Sequence, residues 1–303
     1  MTILLLLSLP IISFIEIIAL RNLSQESNLE SVNLTPHIRI LFVFLVSIIL
    51  YLMFPDELTL YSIFEDSIPG KLALIAGLAD IMGSISYVLA IAVSTRLSSS
   101  VQILGFIPTF VVLTEVLIFD EIIAPLAIMG ILITCIGILV IGKSEYNSRE
   151  GSLEKSSLPG YVFFGITAIL FSVRPILFRY AISSSELSPI SWTFSVIFYG
   201  SFAALLFILF KLLTNPTGLS TALKYLLTNK RKNLIITIVI TYGLTLLLMS
   251  FAAELLPGSI ASSIRRSAPL LVAIYAVMVL KEKSTKFLWI GGTLIIIGII
   301  FIV

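Results

Sequence analysis

Apolar residues occur in long runs along the whole chain, and short polar connections separate the runs. A helix that rises 1.5 Å per residue crosses a hydrocarbon core of ~30 Å in about 20 residues. The pattern therefore predicts an all-α polytopic membrane protein with ten transmembrane helices. The predicted spans are residues 2–20, 38–54, 69–93, 97–119, 122–142, 159–180, 190–212, 234–256, 258–280 and 286–303.

Two polar features refine this outline. The run at 2–20 is read as a membrane helix and not as a signal peptide, because it lacks a basic leader and a small-residue cleavage site. Between the seventh and eighth spans, "LSTALKYLLTNKRKN" predicts a short interfacial amphipathic helix with a basic end.

Composition agrees with the membrane assignment and argues against an enzyme. The chain is 58% hydrophobic and 12% charged, with a mean hydropathy of +1.12, whereas an average soluble domain is about 25% charged. Its one cysteine is Cys135, and its one histidine, His37, is assigned to a polar connection beside Pro36. The usual zinc sites cannot be built from one residue of each kind, and no HExxH or GxSxG motif occurs. We therefore expect no catalysis, metal or cofactor, and no nucleic-acid partner.

An internal duplication relates two stretches of the chain, Ser98–Gly142 and Ser259–Val303. A shift of 161 residues, without gaps, superposes four punctuating residues in one register. The superposed pairs are Pro108 with Pro269, Glu121 with Glu282, Gly130 with Gly291, and Gly137 with Gly298. Hydrophobic matches are common in such a chain, but four matches of this kind indicate a repeat.

The most polar linker, residues 143–158, leaves five predicted spans on each side. Because five is odd, the second repeat (159–303) must enter the membrane from the side opposite to the first repeat (1–142). Inverted repeats are typical of secondary transporters, which bind substrate near the bilayer midplane and work by alternating access.

The repeated spacing of Pro, Glu and two Gly residues resembles the EamA-like branch of the drug/metabolite transporter superfamily. "RRSAPLLVAIYAVMVLKEK" followed by "GGTLIIIGIIFIV" is most similar to it. The resemblance implies a ten-helix transporter that moves small organic solutes without ATP, and no Walker motif is present.

The repeated residues suggest helix-breaking and structural roles. Pro108 and Pro269, in the fourth and ninth spans, remove a backbone hydrogen bond and either line a binding region or only shape the bundle. Glu121 and Glu282 precede the fifth and tenth spans and are predicted to cap helix N-termini, with proton coupling as the alternative. The repeated glycines let helices approach closely.

Three arginines converge at a similar depth, about 10 Å from one membrane face at 1.5 Å per residue. These are Arg174 in the sixth span and Arg265 and Arg266 in the ninth. Guanidinium groups bind carboxylate or phosphate, so the cluster predicts an anion site; the alternative is internal pairing with Glu115 or Glu254.

The basic pair resembles the pair that contacts phosphate in plastid phosphate translocators, which also have a basic residue in the fourth span. Here the repeat places Leu104 and Gly105 opposite Arg265 and Arg266. The missing partner favours a monocarboxylate or zwitterionic metabolite over a phosphate.

Asp80, in the middle of the third span, is a candidate for proton coupling. Alternatively, it accepts hydrogen bonds from hydroxyls such as those of Ser84 or Tyr87. Tyr87 and Tyr242 are candidates for lining the substrate cavity, although aromatic residues in spans often only pack.

Fourteen Lys and Arg residues, Arg39 among them, lie in the odd-numbered connections and two in the even-numbered ones. The positive-inside rule then places both termini outside the cytoplasm, whereas the resemblance implies termini inside. We expect the cell membrane as the location, a small-molecule substrate, lipid and a coupled proton as partners, and a monomer or homodimer. A multidrug exporter of the same fold and a non-transporting scaffold are the rivals.

Overall fold

The computed structural model describes residues 2–25, 29–53, 60–61, 68–94, 97–119, 124–147, 158–184, 188–255, 265, 268–282 and 285–302. This part of the chain is almost entirely helical and contains no strand. The helices are α1 (Thr2–Gln25), α2 (Leu29–Met53), α3 (Ile68–Val93), α4 (Leu97–Ser100), α5 (Phe106–Phe119), α6 (Pro125–Asn147), α7 (Leu158–Ser184), α8 (Pro189–Thr214), α9 (Pro216–Leu226), α10 (Asn229–Leu255), α11 (Ala268–Met278) and α12 (Lys286–Ile302). A 3₁₀ segment, Val101–Gly105, joins α4 to α5.

Five of the described helices contain a stretch that is long and apolar enough to cross a membrane. These stretches are Ser31–Ile49, Ile68–Val93, Leu158–Phe178, Pro189–Thr214 and Arg231–Met249. Shorter apolar helices lie at Val101–Thr114, Ile128–Ile141 and Lys286–Phe301. The predicted all-helical membrane protein is thus confirmed, while the total of ten spans stays a prediction.

The packing of the long helices pairs the two halves of the chain. α3 packs against α7 and α8, and α10 packs against α1 and α2. α6 packs along α12, and α2 packs against α8. The outer surface carries many large exposed apolar side chains, such as Leu117 and Leu213, as lipid-facing helices require.

Glycines allow the closest of these contacts. A Cβ added at Gly137 would lie 2.7 Å from the carbonyl oxygen of Gly291, and one added at Gly298 would lie 2.6 Å from that of Gly130. On α3, a Cβ at Gly77 would lie 2.7 Å from the carbonyl oxygen of Val196. Helices meet backbone to backbone at these positions, as the repeated small residues predict.

The second helix begins much earlier than its predicted start at residue 38. α2 begins at Leu29, so Pro36, His37 and Arg39 lie inside it. The assignment of His37 to a polar connection is therefore wrong: His37 is buried, and its ring stacks on Phe207 with centroids 4.0 Å apart.

Local bonds and tertiary partners explain this error. The Thr35 hydroxyl donates to the carbonyl of Ser31 at 3.0 Å, and His37 Nδ1 lies 3.0 Å from the carbonyl oxygen of Asn33. Polar side chains satisfied in this way are tolerated in a buried helix. Removing Arg39 from the connections leaves thirteen Lys and Arg residues against two, so the charge bias keeps its sign.

The amphipathic helix predicted between the seventh and eighth spans is present as α9. Its inward face buries Leu219, Ala222 and Leu226, and the Asn215 side chain caps its start by accepting a hydrogen bond from the Gly218 N–H at 3.0 Å. The predicted linker begins as helix, because α6 continues to Asn147, and residues 148–157 lie outside the described part.

Candidate functional site

A buried ion pair joins α1 to α2 inside the helix bundle. Arg39 Nη1 donates to Glu16 Oε1 at 2.5 Å, and both side chains are 2% exposed. Arg39 Nη2 donates to the Ser84 hydroxyl at 2.5 Å, which ties the pair to α3. Two charges this deeply buried need both each other and additional hydrogen bonds to offset their desolvation.

The same guanidinium leads to a second polar pair. The Arg39 Cζ atom lies 4.1 Å from the centroid of the Tyr242 ring, which is within range of a cation–π interaction. The Tyr242 hydroxyl donates to Asp80 Oδ2 at 2.5 Å, and both residues are buried. The structure thus brings together two predicted site residues, Asp80 and Tyr242, which are 162 positions apart.

Asp80 has a partner beyond the two donors expected from sequence, because Tyr242 bonds it. The predicted donors Ser84 and Tyr87 have other contacts nearby. The Ser84 hydroxyl accepts a hydrogen bond from Arg39. The Tyr87 ring centroid lies 6.2 Å from that of Phe164 and 5.9 Å from that of Phe171. Hydrogen bonding of Ser84 and Tyr87 to Asp80 stays a prediction.

Arg174 lies next to these groups and is partly exposed. Its Nη2 atom donates to the Thr193 hydroxyl at 3.1 Å. The charges of Asp80 and of Arg265 both act on this guanidinium, the first attractive and the second repulsive. Arg265 Nε donates to the Ser13 hydroxyl on α1 at 3.2 Å. Two of the three predicted arginines thus come within electrostatic range of each other.

Three other predicted groups fall outside the description. Arg266 is not among the described residues, and the side chains of Glu115 and Glu254 are not described. Pairing of the arginines with those carboxylates stays an alternative prediction.

The formal charges of the described cluster do not balance. Arg39, Arg174 and Arg265 bring three positive charges, and Glu16 and Asp80 bring two negative ones. Glu16 is engaged by Arg39, and the charge of Asp80 acts on Arg174. Among the described side chains, the cluster thus carries one more positive than negative charge. The side chains of Glu115 and Glu254 lie outside this count.

The repeated proline Pro108 lies in the first turn of a helix, because it is the third residue of α5 and directly follows the 3₁₀ segment. Proline is tolerated there because the N–H that it lacks has no partner within the helix. Pro269 is the second described residue of α11, and residues 266–267 before it lie outside the description. At Pro108 the expected kink inside a continuous helix is replaced by a change of helix type.

Glu282 contacts the N-terminus of a helix that is distant in sequence, while its predicted capping of the helix that follows it stays a prediction. Its Oε1 atom accepts a hydrogen bond from the N–H of Leu97, the first residue of α4, at 3.2 Å. Glu121 lies outside the described residues.

Arg21 holds the neighbouring end of α3. Its Nη1 atom donates to the carbonyls of Ile91 and Ser94, each at 2.8 Å. Burial lowers the pKa of the Arg21 guanidinium, and the charge of Glu282 acts in the opposite direction. Arg21 and Glu282 therefore act together where α3 ends and α4 begins.

Within the described residues, no group of three or more His, Cys, Asp and Glu side chains could hold a metal ion.

The Glu16–Arg39 pair was missed as part of the site, because Arg39 was assigned to a connection. A signal was present in the sequence: Ser31, Thr35 and Arg39 recur every four residues, which is the spacing of one helix face. A polar stripe of this kind on an otherwise apolar helix indicates a face that points into the bundle.

Comparison with known proteins adds a family and a fold. The EamA-like transporter family matches residues 158–303. One solved crystal structure covers 97% of this chain and 96% of its own chain, with a TM-score of 0.61 and 16% sequence identity. At that identity the likeness shows a common fold alone. Among curated proteins, none matches this sequence.

Proposed function

Because residues 158–303 belong to the EamA-like transporter family of the drug/metabolite transporter superfamily, we propose that this chain is a secondary transporter. Its substrate is a small organic metabolite with a negative charge, either a monoanion or a zwitterion. The observation that carries the charge preference is the closeness of two guanidinium groups, since the charge of Arg265 acts on Arg174 and Asp80 is the described carboxylate that acts on Arg174.

The packing of the helices supports an inverted-repeat architecture. Under the shift that relates the two halves, α3 corresponds to α10, and α1 and α2 correspond to α7 and α8. α3 contacts α7 and α8, and its counterpart α10 contacts α1 and α2, which are the counterparts of α7 and α8. Each half therefore makes the same contacts with the other half, as expected for two repeats related by a two-fold axis. Alternating access between the repeats, without ATP, is the transport mechanism that we propose.

The proposed substrate site lies where the two halves meet. Asp80 comes from the first half, and Tyr242, Arg174 and Arg265 come from the second. The arginines bind the anionic group of the substrate, since charge-assisted hydrogen bonds to guanidinium are among the stronger polar contacts. Asp80 is the candidate carrier of a coupled proton, because a change in its charge alters the field at Arg174 directly.

Residence in the cell membrane, with the odd-numbered connections in the cytoplasm, completes the proposal. Thirteen Lys and Arg residues in those connections favour this orientation.

The test is solute flux into liposomes that contain the purified protein, measured for monocarboxylates, zwitterionic amino acids, neutral solutes and organic cations. Arg174→Gln removes one charge from the cluster, Arg174→Lys keeps it, and Lys232→Gln removes an exposed charge elsewhere as a control. Loss of a hydrogen bond to a charged group should weaken transport of an anion tenfold or more, at ~1.5–3 kcal/mol. The Lys232→Gln rate should match that of the wild type.

Two results would contradict the proposal. Flux of organic cations that is unchanged in Arg174→Gln would support a multidrug exporter in which the arginines are structural. A folded protein that supports no flux of any class of solute would support a scaffold.

A further inference from the structure

An apolar groove of ≈ 300 Å³ lies between α2, α8 and α10. Its volume is at the lower end of the range for small-molecule sites, about 300–1,000 Å³. Its walls are almost wholly aliphatic and aromatic, with Ser47 and Thr193 as the polar exceptions. Gly243 contributes no side chain to the wall, which leaves room beside Val43.

The inner end of the groove meets the charged cluster. Thr193, which lines the groove, accepts the hydrogen bond from Arg174 Nη2 at 3.1 Å. Ile197 and Leu246 also line the groove, and they belong to the same buried cluster as Tyr242, whose hydroxyl reaches Asp80. The wall of the groove and Tyr242 therefore belong to one buried cluster.

The outer end opens on the surface of the helix bundle. Val46 and Ile240, which line the groove there, are 53% and 55% exposed. In a membrane this surface faces lipid tails, so the groove is open to the bilayer interior, and Thr193 on its wall contacts Arg174.

We propose that the substrate is an amphipathic monocarboxylate, whose apolar part fills this groove and whose carboxylate is bound by Arg174. This inference rests on the proposed transport function and narrows its substrate class. Charge complementarity selects the occupant, because the groove is apolar along its length and ends at a cationic side chain. A phospholipid fits less well, since the predicted depth of Arg174 is about 10 Å from one membrane face, and a headgroup bound there would have to leave the interface.

A series of straight-chain carboxylates measures the contribution of the groove. Burial of one methylene group tightens a dissociation constant about fourfold, until the cavity is filled. The Kd of hexanoate should therefore be about fifteenfold lower than that of butanoate, and butanoate should bind more tightly than acetate.

The experiment is calorimetric titration of the purified full-length protein in detergent with acetate, butanoate, hexanoate and hexylammonium. Val46→Trp places a large side chain at the mouth of the groove. Leu45→Trp is the matched control, because Leu45 is 54% exposed on the same helix and does not line the groove. Arg174→Gln removes the charge, and Arg174→Lys keeps it in case the neutral variant fails to fold.

The proposal expects the chain-length gradient in the wild type, in Leu45→Trp and, more weakly, in Arg174→Lys. It expects the gradient to be lost in Val46→Trp and carboxylate binding to be lost in Arg174→Gln. Equal Kd values along the series, with Val46→Trp behaving like Leu45→Trp, would refute the groove as the binding site of the substrate's apolar part. A lipid tail would then be its occupant. Carboxylate binding that still depends on Arg174 would then preserve the proposed function. Binding of hexylammonium in place of hexanoate, or of no carboxylate at all, would overturn both.

Discussion

The Glu16–Arg39 pair makes a sharp prediction about stability. We consider Arg39→Met and Glu16→Met, alone and combined, because methionine has a similar length and adapts to irregular cavities. Both side chains are 2% exposed, so either single change leaves the remaining charge buried without its partner. Stranding one member of a buried pair typically costs about 3–5 kcal/mol, whereas replacing both members by apolar groups is often neutral.

The remaining contacts of Arg39 set the cost of the double variant. Loss of the bond from the charged guanidinium to Ser84 costs about 1.5–3 kcal/mol, and loss of the cation–π contact with Tyr242 costs about 0.5–2 kcal/mol. The double variant should thus lose roughly 2–5 kcal/mol, while the two single losses sum to about 6–10 kcal/mol. A coupling of at least ~1 kcal/mol is expected.

The assay is reversible unfolding in mixed micelles of mild detergent and dodecyl sulfate, followed by far-ultraviolet circular dichroism. Lys232→Met, an exposed cation on α10, is the control and should change the free energy of unfolding by less than about 0.5 kcal/mol. Additive losses in the double variant, or an Arg39→Met loss as small as that of the control, would refute the view that the two charges depend on each other.

Three further predictions use the same unfolding assay. Gly291→Ala should lower the free energy of unfolding by about 1–3 kcal/mol, because the added Cβ would lie 2.5 Å from the carbonyl oxygen of Gly137. In the control Gly165→Ala, the added Cβ would meet nothing within 4 Å, so this change should be neutral or stabilising by up to about 1 kcal/mol. Equal effects of the two would argue against a close contact of α6 with α12. Tyr242→Phe should cost about 1.5–3 kcal/mol, since it removes the donor to the Asp80 carboxylate and keeps the ring beside Arg39; an unchanged free energy would mean that this bond is not formed. Asn215→Ala should cost about 1 kcal/mol and Asn215→Ser much less, because serine also caps α9; an equal cost in both would contradict the capping role.

Much of the fold could be predicted because apolar length alone selects membrane helices. The start of α2 could not, because Pro36, His37 and Arg39 are read locally as a break. Glu16 and Ser84 lie on other helices and supply the hydrogen bonds that make Arg39 acceptable in the bundle. In the neighbouring sequence, the four-residue spacing of Ser31, Thr35 and Arg39 is the signal of this compensation.

Part of the candidate site could also be predicted from helix geometry. Counting residues from the predicted span ends places Arg174 and Arg265 at a similar depth in the membrane. The bond between Tyr242 and Asp80 joins residues that are 162 positions apart. It could not be predicted, because it depends on how α10 is rotated in its packing against the other helices, which the sequence spacing does not encode.

The contact of α6 with α12 has a consequence for how the two halves can move. At Gly137 and Gly291, each backbone occupies the place where the other helix would carry a side chain, so no deformable layer lies between them. In the alternating access proposed above, we expect the two halves to rotate about this line of contact. A covalent link between α6 and α12 should then leave the proposed transport unchanged, whereas a link between α2 and α10 across the groove should stop it.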